Sequence, residues 1–382
     1  MFARTSYFLK RLWSTNWNFD SVTKCPIVVV DKTNVEFLLP LIGSTEFSIV
    51  SVRYEELRVN YKVALVTLYF FGRCKKLPLA YLCALIWLSR PSQVLTFIDN
   101  SMLFHEASGY LPSIRFLAIQ NGIRFPDSSD YRLPPNQKLQ SELLCFGQND
   151  IDGYEIDRIS FRQITPVGSL RNSLYVAESN PTTSDPDLDV FDICLISMFD
   201  IRTPFLPRGD SYQALVEYVA RYIHTNQSLK LTIASRHSKE ESPEEFALEM
   251  EYYKDLFSGS DYLMCLNNKF YSTYRIIDSS KVNISFGSTA SIEAMGRGRR
   301  SLVCQPLLVK ELQLKVKKDW YLSGSTYNEF SNQVDKFLTM SDAEYSSKYE
   351  ADIEYFSGPL NSKPTHVVLG NMISEYQQGR HY

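Results

Sequence analysis

Glycine and histidine are scarce in this chain, and the common nucleotide and metal motifs are absent. The 382 residues include 16 glycines and 5 histidines. No G-x-G-x-x-G, G-x-x-x-x-G-K-[ST] or G-x-S-x-G pattern occurs, which argues against a standard Rossmann dehydrogenase, a P-loop NTPase and an α/β-hydrolase. The histidines are scattered and form no H-E-x-x-H, so we expect neither a histidine-ligated metalloenzyme nor any bound metal ion.

Cysteine pairs and an excess of positive charge are also missing. The 7 cysteines include no C-x-x-C and are odd in number, which fits neither a zinc ribbon nor a disulfide framework. We expect reduced cytosolic thiols, and hence a cytoplasmic protein. The 40 basic residues nearly balance the 43 acidic ones, for a net charge of −3, so no nucleic-acid partner is expected.

No uninterrupted apolar run has the roughly twenty residues of a membrane-spanning helix. Residues 63–71 and 77–88 are strongly apolar, but Arg73, Lys75 and Lys76 divide them. They predict two buried helices or an interfacial hairpin with a basic turn. Residues 2–17 mix basic and aromatic side chains, as in an ordinary starting segment or a helix lying on the inner membrane surface.

Short apolar runs of strand length alternate with longer helical patterns in two series, which predicts two parallel α/β sheets. The runs are 26–30, 47–52, 94–98 and 114–119 in the first series and 191–197, 229–234, 262–266, 282–286 and 301–304 in the second. The stretch 178–189 has no hydrophobic period and predicts the linker. We therefore expect a first, acceptor-binding domain over 1–177 with a final helix over 365–382, and a second, donor-binding domain over 190–360.

Two doubly wound, Rossmann-like sheets that face a central cleft, with a last helix that crosses back, are the GT-B arrangement of nucleotide-sugar transferases. Ligands of such sheets bind at the carboxyl ends of the strands. The segment 285–300 (SFGSTASIEAMGRGRR) places a strand end and a tight turn before a helix. Its backbone N–H groups and hydroxyls are suited to a phosphate, and its acid to sugar hydroxyls; the alternative is an ordinary capped helix. The predicted donor residues here are Gly287, Ser288, Thr289, Ser291 and Glu293.

Two basic residues follow another strand of the second series. Arg236 and His237 come directly after 229–234 and can donate hydrogen bonds to a phosphate from the opposite wall of the pocket, or form a plain surface turn. The acidic run 239–255 that follows predicts a solvated helix.

Polar side chains also follow three strands of the first domain. An acid there can accept the proton of an acceptor hydroxyl, and Glu36, Asp31 and Asp99 are the candidates for this general base. Helix capping is the alternative for each. The remaining polar residues are assigned to the acceptor side of the cleft: Asn34, Asn100, Gln120, Asn121 and Arg124.

Five stretches of the chain together resemble the bacterial surface carbohydrate biosynthesis proteins, GT-B glycosyltransferases of lipopolysaccharide and capsule clusters. They are VVVDKTNVEFLLPLI, TFIDNSMLF, LAIQNGIRF, VGSLRN and SFGSTASIEAMGRGRR. The last is also similar to the donor site of Kdo transferases and CDP-glycerol glycerophosphotransferases, in which a Ser/Thr pair at a helix start holds the nucleotide phosphate.

This resemblance implies an inverting glycosyltransferase that needs no metal ion or other cofactor. Its donor would be a nucleotide sugar, with Kdo or another CMP-activated sugar as one option, and its acceptor a growing glycan, free or lipid-linked. Two alternatives stay open: transfer of a polyol phosphate from a CDP-polyol, and a noncatalytic nucleotide- or glycan-binding module that kept the fold.

Overall fold

The first half of the chain forms one six-stranded parallel sheet with helices on both faces. The computed structural model describes residues 16–51, 56–124, 133–179, 191–200, 209–265, 271–309, 313–314, 316, 318–358 and 363–379. The elements are β1 (Asn16–Asn18), β2 (Ile27–Val30), a 3-10 turn (Val35–Phe37), α1 (Leu39–Ile42), β3 (Phe47–Val50), β4 (Glu56–Arg58), α2 (Tyr61–Cys74), α3 (Leu77–Ser89), β5 (Gln93–Thr96), α4 (Met102–Tyr110), β6 (Arg115–Ile119), β7 (Glu142–Cys145), α5 (Gln148–Ile156), β8 (Gln163–Pro166) and α6 (Leu170–Glu178). The sheet order is β3-β2-β5-β6-β7-β8, with every pair parallel.

The second half repeats this design. Its elements are β9 (Phe191–Ile196), α7 (Gly209–Thr225), β10 (Leu231–Ala234), α8 (Pro243–Leu256), β11 (Tyr262–Cys265), α9 (Ser272–Asp278), β12 (Ser280–Ser285), α10 (Thr289–Gly296), β13 (Ser301–Gln305), β14 (Tyr321–Ser323), α11 (Tyr327–Thr339), α12 (Asp342–Ser357) and α13 (Thr365–Gln377). The order is β11-β10-β9-β12-β13-β14, again all parallel.

Strand β2 shows why each sheet needs two layers of helices. Ile27 and Val29 pack into one core cluster, and Val28 and Val30 pack into another on the opposite face. Because successive side chains of a strand point to opposite faces, an apolar run without alternation is buried on both.

The last helix, α13, returns to the first domain. Leu369 and Ile373 lie in the core cluster of that domain. The Gln93 side chain donates a 2.8 Å hydrogen bond to the carbonyl of Ile373, and Arg115 donates a 3.0 Å bond to that of Met372. The predicted fold, two Rossmann-like domains with a helix that crosses back, is confirmed. Residues 180–189 of the predicted linker lie outside the described residues.

Five strands were not expected from the sequence: the short pair β1 and β4, and three strands of the two large sheets. Strand β7 contains Glu142, a charge that is tolerated because Arg115 of the neighbouring strand pairs with it at 2.6 Å. Strand β8 ends in Pro166, which is typical of an edge strand. β14 is only three residues long. The acidic run forms the expected helix α8, but its Glu249 is fully buried rather than solvated.

The apolar segments before β5 form the helical hairpin of α2 and α3. Within the described ranges, no helix combines the length and the apolar character needed to cross a membrane. Residues 1–15 of the basic and aromatic starting segment lie outside those ranges. All seven cysteines are unpaired, and five of them are buried.

Candidate functional site

A cavity of about 430 Å³ lies between the two sheets and is lined by residues of both halves of the chain. The first domain contributes Asn34, Glu36 and Arg171. The second domain contributes the start of α10 and the two segments that approach it. These residues are Ser238, Glu240, Glu241, Tyr271, Ser272, Thr273, Tyr274, Ser288, Thr289, Ala290 and Glu293.

The turn from β12 into α10 is built by serine hydroxyls. Ser288 is the N-cap of α10 and accepts a 3.3 Å hydrogen bond from the N–H of Ala290. Ser285 accepts from the N–H groups of Gly287 and Ser288 and, at 2.6 Å, from the hydroxyl of Ser291. Gly287 has a φ of 139°, a conformation that side chains disfavour. Of the two α10 serines, Ser288 lines the cavity, whereas Ser291 is buried and hydrogen-bonded to Ser285.

Thr289 and Glu293 of α10 connect the two domains. The Thr289 hydroxyl accepts a 3.0 Å hydrogen bond from the N–H of Ile123. The carboxylate of Glu293, 2% exposed, accepts hydrogen bonds from Ser169 at 2.5 Å and from the Tyr274 hydroxyl at 2.6 Å. Both of its oxygens are thus occupied by protein hydroxyls. Burial, followed by the charge of Glu293, raises the pKa of Tyr274 well above its usual value.

Arg171, near the start of α6, is a cavity residue that the sequence reasoning missed. Its guanidinium carbon lies 5.2 Å from the ring centroid of Phe37 and 5.4 Å from that of Phe97. Its buried Nε has no hydrogen-bond partner. A guanidinium held on two aromatic rings is fixed in place without being neutralised. The rule that ligands meet strand ends would have found it, because it follows β8, a strand that the sequence reasoning did not recognise.

The turn after β2 brings Asn34 and Glu36 to the cavity. Asp31 and Asn34 adopt the left-handed conformation, with φ of 72° and 59°, which Asp and Asn tolerate better than most residues. The Asp31 carboxylate accepts a 3.0 Å bond from the N–H of Thr33, and the residue is buried. Glu36 is exposed on the 3-10 turn that follows and lines the cavity. Of these two acids, Glu36 is the one that lies at the cleft.

The polar residues after β5 and β6 form a buried network with one another. Asp99, 0% exposed, pairs with Arg124, which donates to both of its carboxylate oxygens. Asn121 donates its N–H to Asp99 and accepts a 2.9 Å bond from Arg124. Gln120 donates to Gly122 and accepts from Phe146. These side chains hold the loop that contacts Thr289, and none of them is among the described residues that line the cavity. Asn100, between Asp99 and α4, is half-buried.

Asp150 extends this network to the start of α5. It accepts a 2.8 Å bond from Gln120 and a 3.3 Å bond from the N–H of Gly147. Burial raises the pKa of Asp150 to about 7, and the hydrogen bonds from Gln120 and Gly147 oppose that rise.

Arg236 and His237 are not among the described residues that line the cavity. The buried carboxylate of Glu249 accepts the N–H groups of both residues and lies 3.0 Å from Nδ1 of His237. The Arg236 guanidinium approaches the carbonyl of Phe199 at 3.3 Å and the Asp200 carboxylate at 3.8 Å. The next residue of this loop, Ser238, is the one that lines the cavity. In the part of the chain that the structure describes, no three His, Cys, Asp or Glu side chains are grouped as metal ligands would be.

Comparison with known protein families gives one match, over part of the second domain. Residues 210–340 match a family described as "putative O-antigen biosynthesis protein". No curated protein sequence matches the chain significantly.

Several solved structures share the fold at low sequence identity. The MnaA structure with UDP from S. aureus has a TM-score of 0.57 at 14% identity and covers 93% of this chain and 96% of that one. The UDP-GlcNAc 2-epimerase of Methanocaldococcus jannaschii in complex with UDP-GlcNAc and UDP has a TM-score of 0.53 at 10% identity, over 91% and 98%. A glycosyltransferase from Rickettsia africae has 0.52 at 12% identity, over 93% and 98%. At such identities the likeness establishes the GT-B fold.

Proposed function

We propose that this protein is a GT-B glycosyltransferase that moves a sugar from a nucleotide donor to a growing bacterial surface polysaccharide. The observation that carries the proposal is the cavity between the domains, where the start of α10 and Arg171 lie on one cleft with the acid Glu36. The match to an O-antigen biosynthesis family over part of the second domain supports the choice of polysaccharide.

The donor phosphate binds between Ser288 and Arg171 in this proposal. The dipole and the Ser288 hydroxyl at the start of α10 attract an anion, and the guanidinium adds a full positive charge from the opposite domain. These groups stabilise the charge that develops on the leaving phosphate, so the proposed reaction needs no metal ion. Arg171 takes the part that the sequence suggested for Arg236 and His237, because those two residues contact Phe199, Asp200 and Glu249 instead.

Glu36 is the proposed general base. It lies on the first-domain side of the cavity, whereas Ser288 and Thr289 lie on the other. An inverting displacement needs the acceptor hydroxyl on the face of the sugar opposite the departing nucleotide. A carboxylate on the first domain can accept the proton of that hydroxyl while the second domain holds the donor.

The proposed donor is a nucleotide sugar. The similar structure from S. aureus contains UDP, and the one from Methanocaldococcus jannaschii contains UDP-GlcNAc and UDP. A CMP-linked sugar such as Kdo remains part of the proposal through the sequence resemblance. The acceptor is a glycan or a lipid-linked glycan, and the reaction takes place in the cytoplasm or at the inner face of the membrane.

A second candidate is epimerisation of a nucleotide sugar, which the likeness to the 2-epimerases favours. Transfer and epimerisation use the same kind of donor pocket but give different products. Two further alternatives are transfer of a polyol phosphate and nucleotide binding without turnover. One assay can separate all of these activities.

The experiment is a ligand screen followed by product analysis on the purified full chain. CMP, CDP, UDP and GDP are compared by thermal shift, because a ligand that binds only the folded protein raises its unfolding temperature. Sugar and polyol derivatives of the best nucleotide are then followed by NMR with glycan acceptors. A new glycosidic bond with release of nucleotide supports the proposal. An epimer without nucleotide release points to epimerisation, transfer of polyol phosphate to the acceptor with release of the nucleoside monophosphate points to the polyol alternative, and binding without any product points to a noncatalytic module. Each of these three results would overturn the proposed glycosyltransferase activity.

A further inference from the structure

Helix α2 has apolar side chains on two faces, and only one of them is covered. Val63 and Phe70 are 2% exposed and pack into the core cluster of the first domain. On the outward face, Tyr61, Leu65 and Leu68 are 72%, 62% and 66% exposed. A helix on the surface of a soluble protein normally places polar residues on that side.

The uncovered side chains continue beyond α2. Together they form what we term the hairpin surface, which consists of Tyr61, Leu65, Leu68, Tyr69, Phe71, Leu77 and Trp87, each at least 40% exposed. Contiguous exposed apolar surface of this kind marks a contact with a partner or a membrane. Aromatic and leucine side chains are those that lie at the boundary between lipid headgroups and acyl chains.

The sequence of this region has charge of one sign, although Lys76 of the turn pairs with Glu106 of α4 at 2.6 Å. From position 57 to position 98 the chain has no Asp or Glu, although it has six Lys and Arg residues. Arg73, Lys75 and Lys76 are exposed at the turn of the hairpin. Arg73 lies 5.9 Å from the ring centroid of Tyr69, so cations and exposed aromatic groups are adjacent. An anionic surface is the complementary partner.

The positive charge also argues against two other partners for the hairpin surface, namely a second copy of the chain and residues 1–15. In a symmetric pair of copies the hairpin surface would meet itself, and its cations would face the same cations. Residues 1–15 also contain basic and no acidic residues. Their charge therefore has the same sign as that of the hairpin surface.

We propose that the hairpin surface docks the protein on an anionic lipid bilayer, with α2 parallel to the membrane plane and the basic turn at the headgroups. This docking does not depend on the nucleotide site. Its failure and the failure of the proposed transferase activity are therefore observed separately.

The test is cosedimentation of the full chain with vesicles of phosphatidylcholine, with and without phosphatidylglycerol. The wild type is expected to bind the anionic vesicles and to be released as salt screens the attraction. L65E/L68E should weaken binding at least about tenfold, since neither leucine can then enter the bilayer. Removing the charges of Arg73 and Lys75 should cost about fivefold per cation, and removing that of Lys76 should cost less because Glu106 pairs with it at 2.6 Å. Ile156→Glu/Val176→Glu, at side chains 54% and 55% exposed on other helices, is the matched control and should bind normally.

Two further measurements keep the test decisive. The thermal unfolding midpoint of L65E/L68E should equal that of the wild type, because both side chains are exposed, and its nucleotide affinity should be unchanged. Absent binding of the wild type to anionic vesicles, or equal binding of L65E/L68E, would overturn the proposal. A concentration-dependent dimer that L65E/L68E abolishes would assign the surface to a second copy instead.

Discussion

Two polar clusters at strand ends of the first domain look alike in sequence and differ in structure. The residues after β2 leave Glu36 exposed on the cavity, where Arg171 also lies. The residues after β5 and β6 are buried, and Asp99 and Arg124 neutralise each other. Position at a strand end therefore identifies where a ligand can bind. It does not tell whether a side chain is free to meet that ligand or is engaged in holding the loop.

The largest effect that tests this contrast is expected from Asp99→Asn. The variant leaves the buried guanidinium of Arg124 without its charge partner, and breaking a buried ion pair typically costs about 3 to 5 kcal/mol. We expect the free energy of unfolding, measured with urea, to fall by that amount. Glu36→Gln is the control, since an exposed position should change it by less than about 0.5 kcal/mol. A stable Asp99→Asn protein that had lost turnover would transfer the role of the base to Asp99.

The sequence predicted the parts of the fold that depend on local pattern. Strand β2 was found because four consecutive β-branched residues are typical of a strand buried on both faces. Strand β7 was missed because Glu142 contradicts that pattern, and only its pairing with Arg115 from another strand makes the charge acceptable.

The candidate site was predictable only in part, for a related reason. Ser288 and Glu36 were found from their places after β12 and β2, and both line the cavity. The hydrogen bond from Ser169 to Glu293 joins residues 124 positions apart, so the sequence around Glu293 gives no sign of it. The unpartnered Nε of Arg171 leaves no sign in the sequence either, because the absence of a partner is a property of the folded surroundings.

The next effect concerns the rate of the reaction. Glu36→Gln keeps the size of the side chain but removes its basicity, so turnover should fall about 100-fold. Nucleotide affinity should stay nearly constant because the donor is held by other groups. Steady-state kinetics and calorimetric titration measure the two quantities. Normal turnover of this variant would show that the cavity acid is not the base.

A somewhat smaller effect is expected on donor affinity. Arg171→Gln removes the charge from the cavity but keeps a polar side chain, and a hydrogen bond to a charged group is worth about 1.5 to 3 kcal/mol. We expect nucleotide affinity to fall about tenfold or more, as measured by calorimetric titration. Arg171→Lys keeps the charge and should recover part of the loss. Equal affinity in all three proteins would remove Arg171 from the donor site.

The last effect lies in the buried cluster and appears as a dependence on pH, and it is the smallest when measured over one pH unit near neutrality. Because burial raises the pKa of Asp150 from 3.8 to about 7, the folded state holds a proton that the unfolded state has released between those values. The free energy of unfolding should therefore fall as pH rises through this window and level off above it, with a slope of at most about 1.4 kcal/mol per pH unit. Between about pH 6 and pH 7, the ionisation of Asp150 should lower the free energy of unfolding by about 1 kcal/mol.

Asp150→Asn isolates that contribution, because asparagine resembles the protonated acid and does not titrate. The difference between wild type and variant, from urea unfolding at a series of pH values, should grow in favour of the variant as pH rises to about 7 and then stay constant. Parallel curves would mean that Asp150 is ionised throughout and that Arg124, the other charge of the network, compensates it.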